Sequence, residues 1–205
     1  MKENQINNWI NKDYLTEDRI IKFSRQFKDA KPFSHIEINN FFRAKKLREI
    51  EIALKKEEFF LKESDLFKVK QTNDLVSSKQ NVLIRFREFL ISDEFISYME
   101  KISGLTLGRK KIDLAGSIYE DACYLLCHDD MVTGRKIAFL IYLSTMKRND
   151  GGALLFFDKK MNAKVRIIPK KNTFVFFEVS KISFHEVEEV IVKKKRLALG
   201  GWFHD

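Results

Sequence analysis

His128 and Asp130 stand two residues apart at the end of an apolar stretch, Cys123-Tyr-Leu-Leu-Cys-His-Asp-Asp130. In a β-strand the side chains at i and i+2 leave the same face. This imidazole and this carboxylate therefore point together, and Asp129 between them points away or into the following loop. A pair so placed can fill two adjacent positions on a metal ion. A third ligand must come from another strand, and His185 in Ser183-Phe-His-Glu-Val-Glu-Glu189 is the candidate. Two His and one carboxylate on one face of an octahedron leave three positions open, which suits non-haem iron(II). Taken singly each signal is weak. His-x-Asp recurs by chance, and an apolar-flanked His is more often a satisfied core residue.

Eleven residues after His185 stands Arg196, in the otherwise apolar segment Arg196-Leu-Ala-Leu-Gly-Gly-Trp-Phe-His204. A buried arginine needs a partner, and a planar guanidinium suits a carboxylate in two-point geometry. Two readings stay open here. Arg196 holds an organic acid beside the metal, or it pairs with a structural Asp or Glu.

These residues need strands to position them. From about residue 112 the texture is one of short strands, and eight are expected: 113–119, 121–128, 136–144, 153–158, 163–168, 173–179, 184–192 and 196–203. Turn signals such as Thr133-Gly134, Asn149-Asp-Gly-Gly152 and Lys171-Asn172 separate most of them. Upstream the period is helical. Residues 1–31 form helices with Thr16 as an N-cap, closed by Lys31-Pro32. Residues 33–38 alternate as a strand. Residues 43–63 read as one charged helix burying Leu47, Ile50, Ile52 and Leu54. Residues 64–79 read as a polar loop, with 67–75 as a lid over the site. Residues 80–103 read as one or two amphipathic helices with a break near Ser92-Asp93. The expected fold is α+β with a mainly β core: a double-stranded β-helix, or jelly roll, of about eight antiparallel strands under an N-terminal helical layer. One domain is expected over 1–205, with 1–111 as helical support and 112–205 as the jelly-roll core.

Composition bounds the rest. The 205 residues suffice for a full hydrophobic core, and 19 are Phe. No apolar run is long enough to span a bilayer, and the polar N-terminus carries no signal-peptide core. A cytoplasmic protein is expected, or a nuclear one if the host has a nucleus. Cys123 and Cys127 read as free thiols in a reducing compartment. The net charge of +9 comes mostly from scattered lysines. Basic clusters such as Arg109-Lys-Lys111 and Lys193-Lys-Lys195 lack the interleaved aromatics of an RNA-binding surface, so direct nucleic-acid binding is not expected.

The set of motifs also resembles a known family. Leu125-Leu-Cys-His-Asp-Asp130, Arg135-Lys-Ile-Ala-Phe-Leu-Ile-Tyr-Leu143, Asp150-Gly-Gly-Ala-Leu154, Ser183-Phe-His-Glu-Val187 and Arg196-Leu-Ala-Leu-Gly-Gly-Trp-Phe-His204 resemble the Fe(II)/2-oxoglutarate-dependent dioxygenases. The resemblance is to their prolyl-hydroxylase-like branch, nearest the group that 3-hydroxylates a proline in a ribosomal protein. It runs in order along nearly the whole chain. It implies that His128, Asp130 and His185 hold Fe(II) and that Arg196 binds the distal carboxylate of 2-oxoglutarate. It implies that Tyr142 donates its hydroxyl to that carboxylate and that Tyr119 and Leu125 line the cosubstrate pocket. The implied reaction uses O2 and 2-oxoglutarate, with ascorbate in support, to hydroxylate a prolyl residue of a protein, with release of succinate and CO2. A ribosomal-protein loop is the implied partner, with no membrane involved. A hydroxylase of a free amino acid, another side chain or a small molecule is the alternative, and a non-catalytic binding module a third. The chain departs from the family at Ala198, where members often carry Ser. It also resembles only the catalytic half of larger members, which continue into a second jelly roll.

Overall fold

The structure is a computed structural model that describes residues 5–109 and 111–205. Residues 1–4 of the polar N-terminus and Lys110 of the Arg109-Lys-Lys111 cluster lie outside it. The helices are α1 (Ile6–Trp9), α2 (Glu17–Asp29), α3 (Ala44–Leu54), α4 (Asn81–Leu90) and α5 (Asp93–Ser103). The strands from the N-terminal part are β1 (His35–Asn39), β2 (Phe60–Glu63) and β3 (Phe67–Gln71). Then come β4 (Ile112–Tyr119), β5 (Tyr124–His128), β6 (Arg135–Tyr142), β7 (Leu154–Phe157), β8 (Ala163–Ile167), β9 (Thr173–Glu178), β10 (His185–Val187) and β11 (Arg196–His204).

All pairings are antiparallel and run in the order β1-β9-β6-β11-β4-β3-β5-β10-β7-β8, with β2 hydrogen-bonded only to β3. β4 and β5 follow each other around a kink at 120–123, where Ala122 adopts φ 62°. β3 runs along both, pairing Lys70 with Ile118 and Phe67 with Leu125. It thereby joins a larger wall, β1-β9-β6-β11-β4, to a smaller one, β5-β10-β7-β8. The walls face each other: Phe156 of β7 meets Phe177 of β9 with ring centroids 5.2 Å apart. This is the jelly roll that the strand count implied.

β9 shows why its sequence, Thr-Phe-Val-Phe-Phe-Glu, does not alternate. Both of its faces are buried, as in a strand covered on two sides. Phe174 and Phe176 face the helical layer, where Phe176 stacks on Phe27 at 5.4 Å and Phe174 on Phe41 at 4.8 Å. Val175 and Phe177 face the opposite wall with Leu154, Phe156 and Val187. Truncating a fully buried Phe such as these costs about 3–5 kcal/mol. The helices begin where the sequence allows. Thr16 Oγ1 accepts from Arg19 N and Ser92 Oγ from Phe95 N, and the second cap separates α4 from α5.

Four expectations need correction. The charged helix stops at Leu54, because the apolar positions at helical spacing end there; Ile52 is exposed and Ala53 buried instead. Residues 60–63 are strand β2, and 67–71 are strand β3 rather than a loop or lid. Val69 is the buried residue of β3, and Lys68 and Lys70 on either side hid its alternation. The division at residue 112 is therefore not clean, since β1 and β3 join the jelly roll. The strand expected over 184–192 is hydrogen-bonded as strand only over 185–187. Among the described residues no helix is long and apolar enough to cross a membrane.

Candidate metal and cosubstrate site

β5 and β10 are antiparallel neighbours, and their register sets His185 directly opposite His128. The two imidazoles face each other with centroids 4.2 Å apart. Each is oriented by its own backbone: His128 Nδ1 lies 2.9 Å from Leu126 O, and His185 Nδ1 lies 2.8 Å from Ser183 O. A carbonyl only accepts, so each Nδ1 donates to its carbonyl and each Nε2 is turned toward the interior of the site. Both Nε2 atoms face Asp130, with His128 Nε2 3.4 Å from Oδ1 and His185 Nε2 3.3 Å from Oδ2. Asp130 lies just past the end of β5 with φ 60°, a left-handed conformation that Asp tolerates better than most residues.

The ligand atoms of His128, Asp130 and His185 all fall within 4.8 Å of one another. Two imidazole nitrogens and a carboxylate converging on one point form a donor set that fits a divalent ion of the iron class. The electrostatics agree. Burial would push the Asp130 carboxyl up, but the two histidines beside it hold it well below the usual carboxylate range. Burial would lower His128, yet Asp130 raises it above its ordinary value.

The triad lines a cavity of about 130 Å³ between the walls, shared with Tyr119, Leu125, Leu154, Phe177, Val187 and Arg196. Arg196 is fully buried, and its Nε and both terminal nitrogens have no hydrogen-bond partner among the described residues. The structural-carboxylate reading of this arginine fails on that observation. Its guanidinium instead sits 4.8 Å from the Tyr119 ring and 5.1 Å from the Tyr142 ring. Tyr119 and Leu125 line the cavity. Tyr142 is sealed beside Arg196 rather than on the cavity wall, and its hydroxyl is likewise unpartnered. Burial drives the Tyr119 hydroxyl up to about 12 and raises Tyr142, with Arg196 opposing both. Each phenol therefore stays a donor at neutral pH. A buried cation and a buried neutral donor, both unsatisfied, fit the carboxylate of a small acid.

Gly152 makes room for this arginine. It has φ 73°, and a Cβ there would stand 3.1 Å from Arg196 Cδ.

The strand register shows residues that the motif reading did not place. Ser117 lies opposite Ala198, and Gln71 lies opposite Ser117; both Ser117 and Gln71 line the cavity. Trp202 donates from Nε1 to Asp130 Oδ2 at 3.0 Å. Arg135 stacks on that indole, a contact with no signal in the sequence. Cys127 and Cys123 are free thiols and take no part in the triad.

Comparison with known proteins agrees with this geometry. Residues 114–204 match the 2OG-Fe(II) oxygenase superfamily. The chain therefore carries a 2OG-Fe(II) oxygenase domain, and the superfamily is named for iron(II) and 2-oxoglutarate. Its relatives include the mouse prolyl 3-hydroxylase OGFOD1, 37% identical over 187 residues, covering 86% of this chain and 33% of that protein. The Ostreococcus tauri prolyl 3,4-dihydroxylase OGFOD1 is 36% identical over 198 residues, covering 84% and 38%. The chain thus spans about a third of the length of these relatives. A Pseudomonas putida prolyl-4-hydroxylase shares the fold, with TM-score 0.72 and 17% identity over 89% of this chain and 98% of that one. So does a Trichoplax adhaerens prolyl hydroxylase bound to a hypoxia inducible factor peptide, with TM-score 0.72 and 16% identity over 93% and 94%.

Proposed function

We propose that residues 1–205 act as one catalytic domain, an Fe(II)- and 2-oxoglutarate-dependent dioxygenase that hydroxylates a prolyl residue of a protein. The observation that carries this reading is Arg196, a buried cation with no protein partner beside a two-His, one-carboxylate cluster. Bound there, the metal and cosubstrate supply oxygen-activating chemistry that inserts one oxygen atom into a substrate C–H bond while 2-oxoglutarate becomes succinate and CO2. His128, Asp130 and His185 are the metal ligands in this reading. The carbonyls that accept from Nδ1 orient each ring so that Nε2 is the atom that would meet the ion. Arg196 neutralises the distal carboxylate of 2-oxoglutarate, and Tyr142 adds a neutral donor to the same group. Leu125, Leu154, Val187 and Phe177 exclude water, so that the charge pairing takes place in a medium of low polarity. Tyr119 is the remaining cosubstrate contact, stacked against the guanidinium. Ascorbate supports the metal in its reduced state.

The substrate follows from the relatives named prolyl 3-hydroxylase, and the preferred target is a proline in a ribosomal-protein loop, modified at C3 in the cytoplasm or nucleus. The net charge of +9 offers such a basic protein no long-range attraction, so recognition is local to the cavity mouth. Acidic residues beside His185 are poor candidates for contacting substrate lysines. Glu188 is engaged by Arg166, with Nε to Oε1 at 2.6 Å and a second terminal contact at 2.7 Å. Glu186 alternates with the cavity-lining His185 and Val187 and so leaves from the opposite face. The test is incubation with iron(II), ascorbate, 2-oxoglutarate and a proline-containing peptide from the host's decoding-centre ribosomal protein. A mass gain of one oxygen on the proline is expected. Succinate release with an unmodified peptide, and oxygen found instead on a free amino acid, would move the assignment to the small-molecule alternative.

A further inference from the structure

Asp130 is the weakest-anchored of the three clustered side chains. His128 sits within β5 and His185 within β10, whereas Asp130 lies beyond the strand end, at φ 60°, in the segment leading to Gly134. Its carboxylate is nonetheless nearly covered, and one arrangement accounts for this. Trp202 Nε1 donates to Oδ2 at 3.0 Å, and Arg135 holds a terminal nitrogen 3.6 Å from Oδ1. The guanidinium carbon of Arg135 lies over the Trp202 ring, 3.5 Å from its centroid. Each oxygen therefore faces one histidine and one member of the stacked pair.

The pair exists because of a register shift. Trp202 pairs with Ala138 and Phe203 with Ile137, but His204 pairs with Arg135, so one residue of β6 is skipped. Strict alternation would send Arg135 to the face opposite Ala138. An irregularity of this kind re-aims a side chain, and here it brings the guanidinium over the indole. β11 is hydrogen-bonded on both sides, to β4 and β6, and so is a rigid anchor for a residue in a loop.

We propose that Trp202 and Arg135 are positioning residues for the metal site. The stacked pair fixes the Asp130 carboxylate against the two imidazoles before any ion arrives. The inference rests on the metal reading above. Partners of this kind, one shell out from a ligand, are worth roughly tenfold to hundredfold in metal affinity. Trp202→Phe keeps a ring for Arg135 to stack on and removes only the N–H donor. Arg135→Lys keeps the charge and removes the guanidinium over the indole.

The experiment is a Co(II) titration of wild type and both variants, following visible absorption and calorimetry, with thermal melts of each metal-free protein. Wild type should bind one Co(II) per chain. Trp202→Phe should bind it roughly tenfold or more weakly, with shifted ligand-field bands and an unchanged metal-free melt. Arg135→Lys should show a smaller loss in the same direction. Wild-type affinity and spectrum in a folded Trp202→Phe would overturn the inference while leaving the metal reading intact. If Trp202→Phe does not fold, Arg135→Lys decides by the same criterion. No Co(II) binding by wild type would overturn the metal reading and this inference together.

Discussion

The guanidinium of Arg196 stands 5.1 Å from the ring centroid of Tyr142, and both polar ends are buried with no hydrogen-bond partner. A folded chain does not leave a cation in this state without cost. Breaking a buried ion pair by removing one partner costs about 3–5 kcal/mol, and Arg196 resembles the remaining half of such a pair. In the proposed reading the other half is the distal carboxylate of 2-oxoglutarate.

Replacing Arg196 should therefore separate stability from binding. Arg196→Met fills a similar volume without the charge. The metal-free, ligand-free variant is expected to be as stable as wild type or more so, by up to about 1–4 kcal/mol. Its affinity for 2-oxoglutarate should fall at least tenfold, since a charge-assisted hydrogen bond is worth about 1.5–3 kcal/mol and about 1.4 kcal/mol is tenfold. Tyr142→Phe, which removes one neutral donor, should lose less. Calorimetric titration with 2-oxoglutarate and urea melts check both halves. A strongly destabilised Arg196→Met with unchanged affinity would assign the arginine a structural role.

Cosubstrate should stabilise the wild-type fold by mass action. At a hundredfold excess over Kd the gain is about 2.7 kcal/mol, which moves Tm by several degrees in a chain of this length. In Arg196→Met the shift at the same concentration should nearly vanish. Differential scanning calorimetry with and without 2-oxoglutarate measures both.

The turn before β7 makes a graded prediction. Gly152→Ala must adopt φ 73° and bring a Cβ to 3.0 Å from Val190 Cγ2 and 3.1 Å from Arg196 Cδ. The left-handed backbone alone costs about 1–2 kcal/mol, and displaced Arg196 should weaken cosubstrate binding as well. Gly151→Ala is worse, because its Cβ would lie 1.9 Å from the Glu189 carbonyl oxygen. Chemical denaturation should rank the variants wild type, Gly152→Ala, Gly151→Ala.

Limited trypsin digestion tests the reassignment of 64–79. β3 is hydrogen-bonded to β2 on one side and to β4 and β5 on the other, and Lys70 is ion-paired with Glu120. Lys68 and Lys70 should resist cleavage even without cosubstrate. Rapid cutting there, slowed by 2-oxoglutarate and a peptide, would restore the lid.

The site was more legible in the sequence than its surroundings. The i, i+2 spacing of His128 and Asp130 is a local property of a strand, so it could be read directly. His185 could be named as the third-ligand candidate, but that it falls opposite His128 is a matter of register between β10 and β5, which spacing along the chain does not give. Arg196 announced itself as a charge in an apolar run. Arg135 did not, because its contact with Trp202 depends on one skipped residue in the pairing of β6 with β11. β3 was missed for a similar reason. Only Val69 is fully covered, and the lysines flanking it read as loop. β9 was legible as a strand, but not which of its faces met the helices, since both are apolar.

The most direct measurement is of succinate formed from 2-oxoglutarate by wild type, His128→Ala and Asp130→Ala, with a proline peptide, iron(II) and air. Wild type should form succinate only when metal, O2 and 2-oxoglutarate are all present. Both variants should keep the wild-type circular dichroism spectrum, since the jelly roll closes without the metal, and should form no succinate above a protein-free control. Full succinate production by either folded variant would contradict the assignment of His128, Asp130 and His185 as the metal centre.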